Sequence, residues 1–150
     1  MVVSLRPLDR DNLAQCFALE VSDVQKNHAQ IPDTPEIITE TLSDPPGTIL
    51  TIYSDDTMVG LIAFFHPEGA AEYEITYFLI DQKHQSKGYG KSALKQTIAF
   101  LCEKPDCQRI KIRYMFFNDP MIRLCGQVGF IEVAEESGYV DAALECGQSA

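Results

Sequence analysis

The sequence predicts an α/β (α+β) fold, in which a mixed central β-sheet of about six to seven strands carries helices on both faces. Segments of strand-like alternation are joined partly by short turns, which make hairpins, and partly by helical segments, which make crossovers. The chain has 150 residues, of which 45% are apolar, and it lacks a run of about 18 apolar residues. We therefore expect one domain over residues 1–150, with one core and no membrane span.

The first half of the chain predicts one strand, two helices and a hairpin. Pro7 ends a β-like run at 2–6, and Asp9 or Asp11 is placed to cap a helix over 12–27. A turn with two prolines precedes a helix over 36–42, and the Pro-Gly segment at 44–47 stops it. β-branched residues at 48–53, a turn at 54–57 and a strand at 58–66 complete the hairpin. The expected buried stripe of the first helix is Leu13, Phe17, Val21 and Val24.

The second half predicts a long strand, a crossover helix and a closing group of strands. A strand over 72–81 leads into a helix over 88–104, which Pro105 ends. Residues 109–117 alternate between apolar and basic side chains, as a half-buried strand does. Asn118 caps a short helix that Gly129 ends, and strands follow at 130–135 and 139–145. The expected buried face of the crossover helix is Ala93, Leu94, Ile98, Leu101 and Cys102.

The turn between the long strand and the crossover helix has the features of an anion site. The first N–H groups of a helix lack intrahelical partners and lie at the positive end of its dipole. The turn has the pattern Gln85-x-x-Gly88-x-Gly90, so a phosphate group can approach the main chain closely, and lysines flank the glycines. The pattern is neither a Walker motif nor a complete Rossmann fingerprint.

This segment resembles the pyrophosphate loop of the GNAT superfamily of N-acetyltransferases. The resemblance extends to the preceding apolar strand with Asp81, to the following amphipathic helix and to the later Asn118…Gly129-Phe130 segment. The order of elements also resembles that of the family along nearly the whole chain. Within the superfamily, residues 72–101 are most similar to small bacterial diamine and polyamine acetyltransferases.

The resemblance implies acetyl-CoA as the cofactor and gives several residues a role in holding it. The backbone of Phe78, Leu79 and Ile80 would pair with the pantetheine arm like an added strand. Asn118 would contact the cofactor near the point where the strands diverge. The diphosphate would be held by Gln85, Ser86, Lys87, Gly88, Tyr89, Gly90 and Lys91.

The catalytic groups are less well defined, because the chain departs from the family pattern. Many members place a tyrosine acid seven residues after the position of Asn118, where this chain has Cys125. Three interpretations compete: Cys125 is a substitute acid, a bystander beside a thiolate that leaves unaided, or a sign of lost activity. Glu74 and Glu72 are candidates for the base that deprotonates the amine, directly or through water, or for a contact that binds a cationic substrate, with Glu74 preferred.

The acceptor is expected to be a small cationic amine. The net charge is −10, with 12 Lys and Arg against 22 Asp and Glu, which disfavours nucleic acid as a partner. Acidic residues in the first two helices, where the family builds its substrate wall, are the candidate cation contacts. The resemblance leaves a homodimer open, although the sequence shows no interface. The candidate substrate-binding residues are Glu20, Asp23 and Glu36.

The five cysteines indicate a reducing, cytoplasmic setting, because their number is odd and no CxxC pair occurs. Most are expected to be small buried apolar residues, and no metal site is predicted. The leading hypothesis is direct acetyl transfer to a diamine or polyamine. The alternatives are another amine (an aminoglycoside, an amino acid or a protein amino group) and an acyl-CoA-binding module that has lost catalysis.

Overall fold

The protein is built around one seven-stranded mixed sheet with the strand order β1-β2-β3-β4-β5-β7-β6. The structure, a computed structural model, describes residues 2–21, 32–43 and 45–147. The strands are β1 (Val3–Pro7), β2 (Thr48–Ser54), β3 (Thr57–Phe65), β4 (Glu72–Ile80), β5 (Arg109–Met115), β6 (Ile131–Glu136) and β7 (Tyr139–Glu145). The helices are α1 (Leu13–Phe17), α2 (Thr34–Thr41), α3 (Tyr89–Cys102) and α4 (Asp119–Val128), with a short 3₁₀ turn at Gln82–His84.

The pairing pattern changes at the centre of the sheet, where two neighbouring strands run in the same direction. Every pairing is antiparallel except that of β4 with β5, which is parallel. A parallel pair needs a crossover, and α3 provides it between these two strands. At one edge of the sheet, β6 is exposed along its whole length, including Ile131 and Val133.

Helices cover both faces of the sheet, as the sequence predicts. On one face, Cys16 of α1 and Ile37 of α2 pack with Leu61 of β3 and Leu79 of β4. On the other face, α3 and α4 pack over a larger core that includes Leu94 and Ile112. Of the helices in the described parts of the chain, none combines the length and apolar character needed to cross a bilayer.

The first helix is shorter than its apolar periodicity predicts, so that prediction was wrong. It ends at Phe17, because tertiary contacts occupy the backbone groups that follow. The Thr34 hydroxyl donates to the carbonyl oxygen of Leu19 at 2.6 Å, and the Asp81 carboxylate accepts from the N–H of Glu20 at 3.0 Å. The buried residue of this helix is Cys16, whereas Phe17 of the expected stripe is 42% exposed. Val24 of that stripe lies outside the described residues.

Two further expectations need correction. The alternation over residues 109–117 predicts that Phe116 lies on the buried face of the fifth strand, but β5 ends at Met115 and Phe116 is 54% exposed beyond it. The prediction that most cysteines are small buried apolar residues holds for Cys16, Cys107 and Cys125, which are free and buried in the two cores. It is wrong for Cys102 and Cys146, which form a disulfide that ties the end of α3 to the segment after β7.

Candidate active site

Hydrogen bonds between side chains and the backbone fix the loop before α3. The buried Asp81 carboxylate accepts from the N–H groups of Glu20 and Lys83, at 3.0 and 2.9 Å. The Gln85 amide donates to the carbonyl oxygen of Ile80 at 2.9 Å, which folds the loop back onto the end of β4. Ser86 and Gly88 have left-handed backbone conformations, with φ of 62° and 83°. These turns bring the chain directly into the first turn of α3.

The N-terminus of α3 has the form of an anion site. The first helical bond joins the N–H of Ser92 to the carbonyl oxygen of Gly88 at 3.3 Å, so the amides before Ser92 lack partners within the helix. A Cβ built at Gly88 would meet no atom within 4 Å, which shows that the space beside the turn is open. Lys87 and Lys91 are exposed on either side. An anion at this position gains both the amide hydrogen bonds and the helix dipole.

Gly90 and Tyr89, at the start of α3, have different environments from that of Gly88. A Cβ at Gly90 would lie 3.6 Å from the Phe78 ring, an ordinary contact, so Gly90 faces the end of β4. The Tyr89 side chain is 9% exposed and packs with Ile52, Val59 and Ala93. Only the backbone of Tyr89 is therefore available to a ligand.

The central strands diverge beside this helix and open a cleft. The parallel pairing of β4 with β5 extends only from Glu72 and Arg109 to Ile75 and Ile112. Beyond that point β4 stays paired with β3, as in the contact of Phe78 with Ile62, but no strand in the described parts of the chain pairs with its other edge. The opening, here called the β4–β5 cleft, has a volume of about 590 Å³. The residues of the predicted cofactor set that line it are Phe78, Leu79 and Asn118.

A bulge in β4 arranges the acidic side of the cleft. Ala63 pairs with Tyr77 while Phe64 pairs with Ile75, so Thr76 is an extra residue in β4. Tyr73 and Ile75 belong to the core beneath α3, which places Glu74 on the opposite face of the sheet. The bulge brings Tyr77 onto that same face, where it packs against the core beneath α1 and α2.

The carboxylates in and beside the cleft differ in whether they form ion pairs. Asp141 accepts two hydrogen bonds from Arg113, at 2.8 and 3.1 Å, and these bonds lower the pKa of Asp141. Glu72 lies 3.9 Å from the Lys111 ammonium. Among the described residues, neither Glu74 nor Glu40 forms an ion pair, and both line the cleft.

Glu40 is held by a tyrosine. The Tyr77 hydroxyl donates to a carboxylate oxygen of Glu40 at 2.8 Å. Burial, the hydrogen bond to Glu40 and the charges of Glu40 and Glu36 together raise the pKa of Tyr77 to about 12. Tyr77 therefore stays a donor near neutral pH, and its hydrogen bond fixes the position of the Glu40 carboxylate at the mouth of the cleft. Sequence reasoning missed both residues, because simple alternation puts Tyr77 on the face opposite Glu74.

Cys125 lies in the core and does not line the cleft. Its side chain is 1% exposed among residues that include Tyr114 and Phe130, and burial raises the pKa of its thiol to about 12. Asn118 does line the cleft, and its side chain also caps α4 by accepting from the N–H of Met121 at 3.4 Å.

The predicted acceptor residues are dispersed. Glu20 lines a smaller cavity of about 360 Å³ with Leu79, and its carbonyl oxygen accepts from the N–H of Gln82 at 2.7 Å. Glu36 is exposed in the first turn of α2, four residues before Glu40 and therefore on the same side of that helix. Asp23 lies outside the described residues.

Comparison with known proteins gives this site a family. The family model described as "Acetyltransferase (GNAT) family" matches residues 13–130, which is more than half of the chain. The chain belongs to the GNAT acetyltransferase family. The recognition of the family from the loop motif is thereby confirmed, together with the assignment to the N-acetyltransferases.

Individual relatives agree with this assignment. The chain is 27% identical over 136 residues to the spermine/spermidine N(1)-acetyltransferase of Bacillus subtilis, covering 87% of this chain and 88% of that protein. A spermidine N-acetyltransferase from Vibrio cholerae, solved with CoA and spermine, has a TM-score of 0.77 at 14% identity, over 97% of this chain and 96% of its own.

A relative with another acceptor has almost the same fold. The ribosomal-protein-S18-alanine N-acetyltransferase of Escherichia coli has a TM-score of 0.75 at 14% identity, over 99% of this chain and 97% of its own. These likenesses confirm the predicted fold class, a mixed sheet with helices on both faces. Since proteins named for a polyamine and for a ribosomal protein share the fold, the fold does not select the acceptor.

Proposed function

We propose that this chain transfers an acetyl group from acetyl-CoA to a primary amine of a small cationic acceptor of the diamine or polyamine class. One observation carries the proposal. The β4–β5 cleft lies at the end of the sheet where the N-terminus of α3 has amides without partners in the helix, and it is lined by Glu74 and Glu40, two carboxylates that form no ion pair with any described residue. An anionic group thus has a place at one side of the cleft and a cationic group at the other.

The residues present fit the cofactor. The amides preceding Ser92 are unpaired within the helix and face open space at Gly88, so they suit a diphosphate. The edge of β4 that faces β5 leaves the ladder after Ile75, so the backbone from Tyr77 onward suits the amide groups of the pantetheine arm. When bound, acetyl-CoA supplies the activated acyl group. The Vibrio cholerae relative was solved in complex with CoA, which supports the same donor for this chain.

Glu74 is the proposed base. An alkyl ammonium has a pKa of about 10 and must lose a proton before its nitrogen can act as a nucleophile. Glu74 lines the cleft without a basic partner in the described structure, and it accepts this proton directly or through one water. Glu72 is the weaker candidate, because it lies beside Lys111 and is absent from the cleft wall.

Glu40 is the proposed contact for a second ammonium group of the acceptor. Its position is fixed by the Tyr77 hydroxyl, and Glu36 lies on the same side of α2. A diamine or polyamine carries positive charge away from its reacting nitrogen, so a carboxylate at the mouth of the cleft favours it over a singly charged amine. The names of the Bacillus subtilis and Vibrio cholerae relatives agree with this class of acceptor.

The leaving thiolate departs without Cys125. The Cys125 thiol lies on the buried side of α4, away from the cleft, and its raised pKa makes it a weak proton donor, so the bystander interpretation fits its placement best. The same placement removes the main argument for a module that has lost catalysis, because the cleft keeps its carboxylates and its anion site.

The proposal is tested by thiol release from acetyl-CoA in the presence of a panel of amines. The panel holds putrescine, spermidine and spermine, with an aminoglycoside, a free amino acid and a short peptide with a free N-terminus. We expect the diamine and polyamines to give the highest kcat/KM, by at least about tenfold, which corresponds to one well-placed charge contact. Turnover with the peptide alone would contradict the acceptor class. Thermal stabilisation by CoA without turnover on any amine would favour the binding module.

A further inference from the structure

Three sulfur atoms meet at the end of the sheet remote from the β4–β5 cleft. Cys102 is the last residue of α3, Cys107 lies in the turn before β5, and Cys146 follows β7. Backbone hydrogen bonds fix the turn and the tail: the N–H of Cys107 donates to Lys104 at 3.1 Å, and the N–H of Cys146 donates to Gln108 at 2.8 Å. The three cysteines are therefore held together by the main chain as well as by a disulfide.

The third sulfur contacts the disulfide itself. Cys102 and Cys146 are bonded, with their Cα atoms 5.4 Å apart, and the Sγ of Cys107 lies 3.8 Å from the Sγ of Cys146. Cys146 carries no thiol proton in this disulfide, so Cys107 is the donor in any hydrogen bond between the two. The Cys107 thiol also lies 3.6 Å from the carbonyl oxygen of Arg109.

This arrangement differs from that of the other free thiols. Cys16 and Cys125 are fully buried in the two apolar cores, where a cysteine acts as a small hydrophobic residue. Cys107 is also buried, but its neighbour is a disulfide whose two half-cystines are only partly buried. A small thiol can therefore reach the disulfide from solvent while Cys107 contacts it from within.

We propose that Cys102, Cys107 and Cys146 form a thiol–disulfide exchange site, in which Cys146 pairs with either of the other two and low-molecular-weight thiols catalyse the change. In the direct step the Cys107 thiolate attacks the Sγ of Cys146. The bond between Cys146 and Cys102 breaks, and Cys102 leaves as a thiolate that takes up the proton lost by Cys107. Nothing is oxidised or reduced overall.

A small thiol catalyses the same exchange in two steps. Its thiolate attacks Cys146, which gives a mixed disulfide and releases Cys102. The Cys107 thiolate then attacks Cys146 in the mixed disulfide, and the small thiol leaves unchanged. One pairing ties the segment after β7 to the end of α3, and the other ties it to the turn between α3 and β5.

The two pairings close loops of similar length, with sequence separations of 44 and 39 residues. The chain-entropy model therefore gives them nearly equal stabilisation, and the balance between them is set by local geometry. In both pairings the segment after the C-terminal strand is covalently anchored, and in the direct step the anchor passes from Cys102 to Cys107 without being lost.

Non-reducing peptide mapping tests this site. The protein is incubated with a trace of glutathione, quenched with acid, alkylated and digested with a glutamate-specific protease. Cleavage after Glu103 separates Cys102 from Cys107, so the two linked species have different masses. We expect the Cys102–Cys146 species at the start and a second Cys107–Cys146 species to appear during incubation. If Cys107 remains alkylatable in every molecule after prolonged incubation, the proposal is overturned.

The variant Cys102→Ser gives an independent readout. With glutathione disulfide as the oxidant, we expect it to form the Cys107–Cys146 bond and to release two molecules of glutathione per bond. The control Cys107→Ser should form only Cys102–Cys146. A Cys102→Ser protein that stops at a mixed disulfide between glutathione and Cys146 would show that Cys107 cannot exchange, whatever the stability of the variant.

Discussion

Replacing Glu74 by glutamine is expected to lower kcat for amine acetylation by about 10²- to 10⁴-fold, the range for loss of a positioned general base. Glutamine keeps the size of the side chain but cannot accept the ammonium proton. Because the uncharged amine becomes abundant as the pH approaches about 10, the deficit should shrink as the pH rises toward that value. Steady-state thiol release across a pH series measures both effects.

Three control variants separate this role from general damage. Glu72→Gln removes a carboxylate from the same face of β4, but one that lies beside Lys111, and Glu135→Gln removes an exposed carboxylate on β6. Cys125→Ala removes the buried thiol at the position of the usual tyrosine acid. We expect each control to keep kcat within about threefold, since none touches the reacting amine. If the Glu74→Gln enzyme had the wild-type kcat at neutral pH, another group would be the base. A large loss of kcat in Cys125→Ala would show that the Cys125 thiol is the acid.

Replacing Gly60 by alanine is expected to lower the free energy of unfolding by about 3 kcal/mol, the upper part of the range for overpacking. A Cβ at Gly60 would collide with the carbonyl oxygen of Leu79 and would press on the backbone of Ile80. Main-chain atoms in a paired strand cannot rotate away, so β3 and β4 must separate. Urea denaturation followed by fluorescence or circular dichroism measures the loss.

The same substitution should also weaken CoA binding, because Leu79 and Ile80 belong to the proposed pantetheine strand. Gly126→Ala is the matched control: Gly126 lies inside α4, and a Cβ there would meet nothing within 4 Å. That change should leave CoA affinity unaltered and should raise stability by up to about 1 kcal/mol, through the loss of backbone freedom in the unfolded chain. Equal stability of the two variants would contradict the close packing of β3 against β4.

The fold could be predicted from the sequence where local signals agree with tertiary packing. The alternation of apolar and basic residues was sufficient to predict β5 as a half-buried strand. Ile110, Ile112 and Tyr114 are buried, while Arg109 and Arg113 pair with carboxylates on the other side. The glycine-rich turn was likewise sufficient to predict an anion site, because the first amides of a helix have no partners within that helix, whatever surrounds it.

The remainder depends on contacts that no local pattern contains. The first helix ends early because Asp81 and Thr34, both distant in sequence, bind the backbone after Phe17. The partnership of Tyr77 with Glu40 depends on one extra residue in β4, and the disulfide joins cysteines that are 44 residues apart. The roles of Glu74, Cys125 and the loop residues remain predictions, supported by where the structure places these side chains.

A calorimetric titration that compares CoA with pantetheine tests the central claim most directly. If the amides before Ser92 hold the diphosphate, CoA will bind at one saturable site, and pantetheine, which lacks the diphosphate and the nucleotide, will bind at least about tenfold more weakly. Pantetheine binding as tightly as CoA, or the absence of any saturable heat with CoA, would contradict it.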